Sequence, residues 1–244
     1  MERRMTPELP TNSELSSPAN LQSQQLAIFD LDYTLTKRGT WGHFIWDWVK
    51  FRPHIWLPLL LSAGWMQIQY KRGLRPRADV KISMMRWAMK GASKETVLRK
   101  GRKFAAKTVP HGLREGGIKA VKDHKAKGDI LIMISAAVDV VAHPIADLLG
   151  FDHVLATEMA FDSEGILKLG FNTPNCYGPE KVSRLNALIT DFPELQPYAA
   201  QITVYSDSYS DLSMFNRANI SVAIHPDKRL SRHAAENNWH IFKW

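Results

Sequence analysis

The stretch Leu26-Ala27-Ile28-Phe29-Asp30-Leu31-Asp32-Tyr33-Thr34 decides how the rest of the chain is read. Four successive apolar residues with no polar alternation suit a short strand buried on both faces, as in a parallel sheet. The run stops at an acid, which places Asp30 at the C-terminal end of that strand and Asp32 in the loop behind it. Two carboxylates at one site permit a division of labour between a nucleophile and an acid/base group. Taken alone, D-x-D-x-T is also open to a plain turn with local Asx hydrogen bonds.

Outward from this stretch the pattern becomes regular. Gly112 to Lys127 reads as a helix punctuated by Gly128, and Ile130 to Ser135 (ILIMIS) as a second buried strand. Val138 to Leu149 reads as a helix that stops at Gly150. His153 to Gly170 predicts a strand and then a hairpin turning near Asp162–Gly165. A helix over Pro179–Ile189, strands at Ile202–Ser206 and Ile220–Ile224, a terminal helix and a short strand at His240–Phe242 complete the order. Strands alternating with helices predict a parallel α/β sheet flanked by helices, whose ligands bind beyond the C-terminal strand ends. Asp30, Ser135 and Asp207 all fall at such ends.

The chain of 244 residues is long enough for one domain with an insertion, and its 45% hydrophobic and 23% charged content is ordinary for a globular protein. The lone cysteine, Cys176, has no partner for an intramolecular disulfide and fits a reducing compartment. Residues 1–25, rich in Ser, Pro, Asn and Gln, read as a disordered tail without the apolar core of a secretory signal. Charge is unevenly placed. Residues 36–110 hold 17 Lys or Arg against Asp47, Asp79 and Glu95, a net +14 that leaves −6 for the remainder of a chain whose total is +8. Six of the eight tryptophans lie in the same segment. Such asymmetry implies an anionic partner, a membrane or a nucleic acid.

Three later motifs give the first one its context. Ser135 ends ILIMIS; Lys181 opens the helix after Tyr177-Gly178-Pro179-Glu180; and Tyr205-Ser206-Asp207-Ser208-Tyr209-Ser210-Asp211 ends the strand ITVY. Each is weak alone, since a strand-terminal Ser is often a helix cap and a lysine is usually a surface charge. In this order and at these positions, from about Leu26 to Trp244, the set resembles the haloacid dehalogenase (HAD) superfamily, in particular its subfamily IB, the phosphoserine-phosphatase-like branch. The resemblance implies a HAD-like Rossmannoid core of residues 26–35 and 111–244 and a helical, basic, Trp-rich cap of residues 36–110. It also implies a Mg²⁺-dependent phosphomonoester hydrolase. In that scheme Asp30 is the nucleophile that becomes an aspartyl-phosphate, and Asp32 the general acid and base. Mg²⁺ is held by Asp30, the Asp32 carbonyl and Asp207. Ser135, with Thr34 in the nucleophile loop, takes phosphate oxygens, Lys181 offsets the charge, and Asp211 supports the site.

Two departures matter. Ser206 stands where the family often has Gly. In addition, Thr36-Lys37-Arg38-Gly39-Thr40 lacks the glutamate by which phosphoserine phosphatases recognise the substrate amine, which makes phosphoserine a poor candidate. In the cap, His54 to Gln67 is too short and interrupted to span a bilayer. Flanked by Arg52 and by Lys71, Arg72, Arg75 and Arg77, it suits a helix or re-entrant hairpin in the interface of an anionic membrane. The competing reading is a buried helical hairpin with a basic outer face. This pattern resembles the cap of phosphatidylglycerophosphatase C-type phosphatases, which implies a lipid phosphate and a cytoplasmic protein peripheral to the inner face of the cell membrane. The alternatives are a soluble small-metabolite phosphatase and, least well supported, a nucleic-acid-binding module. The nine histidines include no metal-spaced pair. His43, His54, Arg38, Arg72 and Arg75 are the candidates for substrate contact.

Overall fold

The computed structural model describes residues 24–244, so the expected tail lies outside the described residues except for its last two. Of these, Gln25 is tied down. Its backbone N–H donates to Asp129 Oδ1 (3.1 Å), and its side-chain oxygen accepts from Thr203 Oγ1 (2.6 Å).

The first strand, β1 (Leu26–Phe29), is followed by four helices: α1 (Thr40–Val49), α2 (Pro53–Lys71), α3 (Arg77–Ala88) and α4 (Lys94–Gly112). Then come α5 (Glu115–Ala126), β2 (Ile130–Val138), α6 (Asp139–Leu149), β3 (His153–Thr157) and the pair β4 (Met159–Phe161) and β5 (Leu167–Phe171). The chain closes with α7 (Pro179–Asp191), β6 (Ile202–Ser206), α8 (Leu212–Phe215), β7 (Ile220–Ile224), α9 (Lys228–Glu236) and β8 (His240–Phe242). Six strands form one sheet in the order β3-β2-β1-β6-β7-β8, every pair parallel, and β4 and β5 form a separate antiparallel hairpin. The expected α/β architecture is therefore present.

The apolar strands explain themselves by what covers each face. Ala27 and Phe29 point into one core with Leu131, Met133, Val141 and Ile145, while Leu26 and Ile28 point into another with Ile132, Ile134, Leu185 and Phe215. A strand buried on both faces has no position for a polar residue, hence the continuous apolar run. Because β1 is flanked by β2 and β6, the chain runs outward from it in both directions, and the crevice at this switch point opens beyond Phe29.

Several features differ from the sequence reading. β2 continues past Ser135 to Val138, but its ladder with β3 is irregular. Ile134 pairs with Leu155 and Val138 with Thr157, so four residues advance on β2 while two advance on β3. Ser135 therefore sits in a bulge rather than at a strand terminus, and the helix begins at Asp139 instead of Val138. α5 starts at Glu115 because Gly112 still belongs to α4 and Leu113 bridges to Thr36. Finally, His54–Gln67 lies in one continuous helix, not a re-entrant hairpin. Among the described residues no helix is long and apolar enough to cross a membrane.

The four inserted helices are anchored at several places. Their two connections run side by side, with Lys37 N–H donating to Gly112 O (2.8 Å) and Arg114 N–H to Leu35 O (2.8 Å). Ser93 bridges to Ile166 in the β4–β5 hairpin. α4 also lies on α6 so closely that a Cβ on Gly101 would stand 1.9 Å from the Val140 carbonyl oxygen. A rigid backbone atom has no room to yield, so Gly101→Ala is expected to destabilise the fold by about 1–3 kcal/mol through overpacking. Denaturant unfolding of the variant beside the parent measures it.

Candidate active site

Asp30 leaves β1 with its backbone N–H on the Tyr205 carbonyl (3.0 Å), which fixes it at the mouth of the crevice. The next residues make a single wide turn, closed by Thr36, whose N–H (2.9 Å) and Oγ1 (3.1 Å) both donate to Leu31 O. The turn holds Tyr33 at φ 62°, a left-handed conformation that costs a non-glycine residue about 1–3 kcal/mol. The turn carries the Asp32 carboxylate to the start of α1, where the Thr40 backbone N–H donates to Oδ1 (2.7 Å). The last residue before the helix is Gly39, against which the Tyr33 ring packs.

The structure brings Asp30, Lys181 and Asp211 into contact, and Thr34 with Asp207. Lys181, in the first turn of α7 and 3% exposed, bonds Asp30 Oδ1 at 2.9 Å and Asp211 Oδ2 at 2.7 Å. Asp211 also accepts from Ser206 Oγ (2.6 Å). Ser206, the departure from the family pattern, thus has a local partner that glycine would not supply. Asp207 follows β6, and Thr34 Oγ1 donates to its Oδ1 (3.3 Å). The fully buried Thr34 hydroxyl is therefore directed at a carboxylate of the site. Ser135 is 1% exposed, and its Oγ accepts from Ala137 N–H (3.2 Å), bracing the bulge.

These contacts set the electrostatics. Burial pushes the Asp30 carboxyl up to about 6, with Lys181 opposing and Asp211 adding to the rise. Burial, then repulsion from Asp30 and Asp211, pushes Asp207 up to about 7. Asp32 is raised by burial, against the pull of the Thr40 N–H, Lys81 and Arg77. For Lys181, burial disfavours the charge, but Asp211 and Asp30 outweigh it and hold the pKa above the usual lysine range. Asp30 and Asp211 thus share one contacting cation while Asp207 beside them touches none among the described residues, a surplus of negative charge on hard oxygen donors. That surplus fits a divalent cation such as Mg²⁺. Among the described residues no group of three or more His, Cys, Asp or Glu side chains could hold a metal ion by itself.

Beside Asp32 opens a cleft of about 710 Å³ lined in part by Arg38, His43, Trp41, Trp46, Arg77 and Lys81. Arg38 and His43, named from sequence, do line it. Arg72 and Arg75 do not; Arg75 pairs with Asp79 (3.7 Å) at the far end of α2, and His54 is exposed. Sequence reasoning passed over Lys81. Its ammonium donates to Asn175 Oδ1 (2.8 Å) and the Ala136 carbonyl, and burial, with Arg77 nearby, brings its pKa down to about 8. Nothing in the local pattern separates Lys81 from the other cations of the segment; only its half-apolar helix face, with Met85 and Ala88 buried beside it, points inward.

A match to the haloacid dehalogenase-like hydrolase family spans residues 27–216. The chain belongs to that family and is a hydrolase. It is 24% identical over 234 residues to a histidinol-phosphatase of Neisseria meningitidis, covering 91% of this chain and 99% of that protein. Its fold is similar to that of a protein of unknown function from Bordetella pertussis (TM-score 0.75, 20% identity, 90% and 98% coverage). It is also similar to a phosphoserine phosphatase solved as a phospho-aspartyl intermediate analogue (TM-score 0.59, 16% identity, 89% and 92% coverage).

Removing the shared cation tests the electrostatics. Lys181→Met leaves Asp30 and Asp211 buried and unpaired, a loss of about 3–5 kcal/mol. The folded Asp30 binds its proton more tightly than the unfolded chain, whose ordinary value is 3.8. The penalty is therefore small below pH 4 and complete above the folded pKa. Urea unfolding in chelator at acid and neutral pH should show the deficit shrinking as pH falls.

Proposed function

We propose that this hydrolase is a phosphatase: a Mg²⁺-dependent phosphomonoester hydrolase working through an aspartyl-phosphate on Asp30. The observation that carries the reading is Lys181 bridging Asp30, 151 positions before it, and Asp211, 30 positions after it. The Asp30 carboxylate attacks phosphorus, and the bond to the leaving oxygen breaks as Asp32 donates its proton. Water then attacks the acyl phosphate, Asp32 takes the proton back, and inorganic phosphate leaves Asp30. The raised pKa of Asp32 suits the acid role. Lys181 counters charge on Asp30 and the transferring group. Thr34 orients Asp207, and Ser135 with the backbone of its bulge receives phosphate oxygens. Mg²⁺, held by Asp30, the Asp32 carbonyl and Asp207, would supply Lewis-acid stabilisation of phosphoryl charge. A phosphoserine phosphatase of similar fold, solved as a phospho-aspartyl intermediate analogue, supports the covalent route.

The helices of residues 36–110 are read as a cap of the subfamily IB kind, hinged at the paired connections near Thr36 and Leu113. They bring Arg38, Arg77 and Lys81 over the cleft, where Asp32 is the one acid among the described lining residues. No second carboxylate is then available for a substrate ammonium, which disfavours phosphoserine and histidinol phosphate alike. Three cations favour a phosphomonoester with a second anionic group. A lipid phosphate such as phosphatidylglycerophosphate, whose phosphodiester is such a group, fits the Trp41, Trp46 and Val80 wall and the cap's likeness to phosphatidylglycerophosphatase C. A small anionic metabolite is the other source of the same chemistry.

Phosphate release from phosphatidylglycerophosphate in mixed micelles, phosphoserine, histidinol phosphate and sugar phosphates tests both levels. Chelator and Asp30→Asn should abolish release, and Asp32→Asn should lower kcat about 10²–10⁴-fold. Full activity of Asp30→Asn would overturn the mechanism. Arg77→Ala should raise KM on the doubly anionic substrates with kcat little changed, because it removes binding and leaves the chemistry intact.

A further inference from the structure

We propose that the outward face of α2 is a docking surface for an anionic phospholipid bilayer. Leu57, Leu60, Leu61, Gly64, Trp65 and Ile68 recur at i, i+3, i+4, i+7, i+8 and i+11, which aligns them along one side of a helix. That side faces solvent: Leu57 is 67%, Leu60 66%, Leu61 65% and Trp65 55% exposed. The opposite side, with Leu59, Ser62, Ala63 and Met66, is buried or half-buried where α2 packs on α3. The helix is thus apolar on both sides although only one meets protein. Phe51 and Leu74, just beyond either end of the helix, are exposed as well. A contiguous apolar surface of this kind marks an interaction site rather than ordinary scatter.

Charge selects the occupant. Between Asp47 and Asp79 the chain carries Lys50, Arg52, Lys71, Arg72, Arg75 and Arg77 and no acid. A second copy of this chain would bring the same surface, with cations and no counter-charge. Anionic headgroups supply that charge, and the acyl boundary beneath them accepts the leucines. A helix of 19 residues lying flat covers about 28 Å of such a surface, with Trp65 at the depth indole rings prefer. Lys71, Arg72 and Arg75 then meet lipid phosphates at the C-terminal end. Gln67, on the same helix, also lines the cleft beside Asp32, so docking sets the mouth of that cleft next to the bilayer. The docking needs no turnover and stands apart from the phosphatase reading.

Vesicle co-sedimentation of the full chain, in chelator and without substrate, tests it. The protein should pellet with phosphatidylcholine vesicles containing phosphatidylglycerol and stay in solution with phosphatidylcholine alone. Leu57→Ser with Leu61→Ser, and separately Arg72→Ser with Arg75→Ser, should each weaken partitioning about tenfold or more. Their thermal unfolding should match the parent, since all four side chains face solvent. Three results would overturn the proposal: no partitioning onto anionic vesicles at low salt; undiminished partitioning of the leucine variant; or a concentration-dependent dimer of the parent that the leucine variant abolishes, which would make the occupant a second copy.

Discussion

The ammonium of Lys181, buried between Asp30 and Asp211, is the contact on which the rest of the site depends. Three carboxylates from two strand ends crowd into one desolvated crevice, and such crowding is tolerable only with positive charge among them. The sheet brings the carboxylates together, because β1 and β6 are neighbours and both end at the crevice. The first turn of α7 brings the cation. The charge that remains uncancelled on Asp30 and Asp207 shows in their raised pKa values, both driven first by burial.

Around this centre the supporting contacts are short-range and specific. Ser206 and Thr34 each hold one carboxylate of the site, and the Thr40 N–H holds Asp32 from the first turn of the insertion. The inserted helices are therefore continuous with the chemistry. Their paired connections, the close approach of Gly101 to Val140 and the buried Lys81 bind them to the sheet at separate points. A cleft results with Asp32 and Tyr33 from the turn after β1 on one side and basic and aromatic residues of the insertion on the other.

The outward apolar face of α2 sets the opposite constraint. Core-facing helices gather leucines on one side, whereas α2 shows Leu57, Leu60 and Leu61 to solvent and turns only Leu59, with Ser62, Ala63 and Met66, toward the protein. Sequence reading left open whether this run was buried or interfacial, because an apolar helix gives the same letters in either setting. Its exposure is a property of where the neighbouring helices stop.

Much of the architecture was written locally. A strand buried on both faces must be apolar throughout, so LAIF, ILIMI and ITVY identified themselves, and the polar residues beyond their ends, Asp30, Ser135 and Asp207, marked the crevice. The spaced motifs at Asp30, Lys181 and Asp207 were legible for the same reason: chemistry at a strand end or helix start depends on position along the chain. The bulge at Ser135, the start of α5 at Glu115 and the anchoring of Gln25 were not legible, since each depends on pairing with residues far away. Lys81 was hidden among 17 cations because its burial, which lowers its pKa, comes with contacts to Ala136 and Asn175, far from it along the chain. The sequence by itself determined the strands, their order of chemistry and the sign of the charge. Tertiary structure alone decided which cations face the cleft and which leucines face solvent, because both are set by distances between segments that local pattern does not encode.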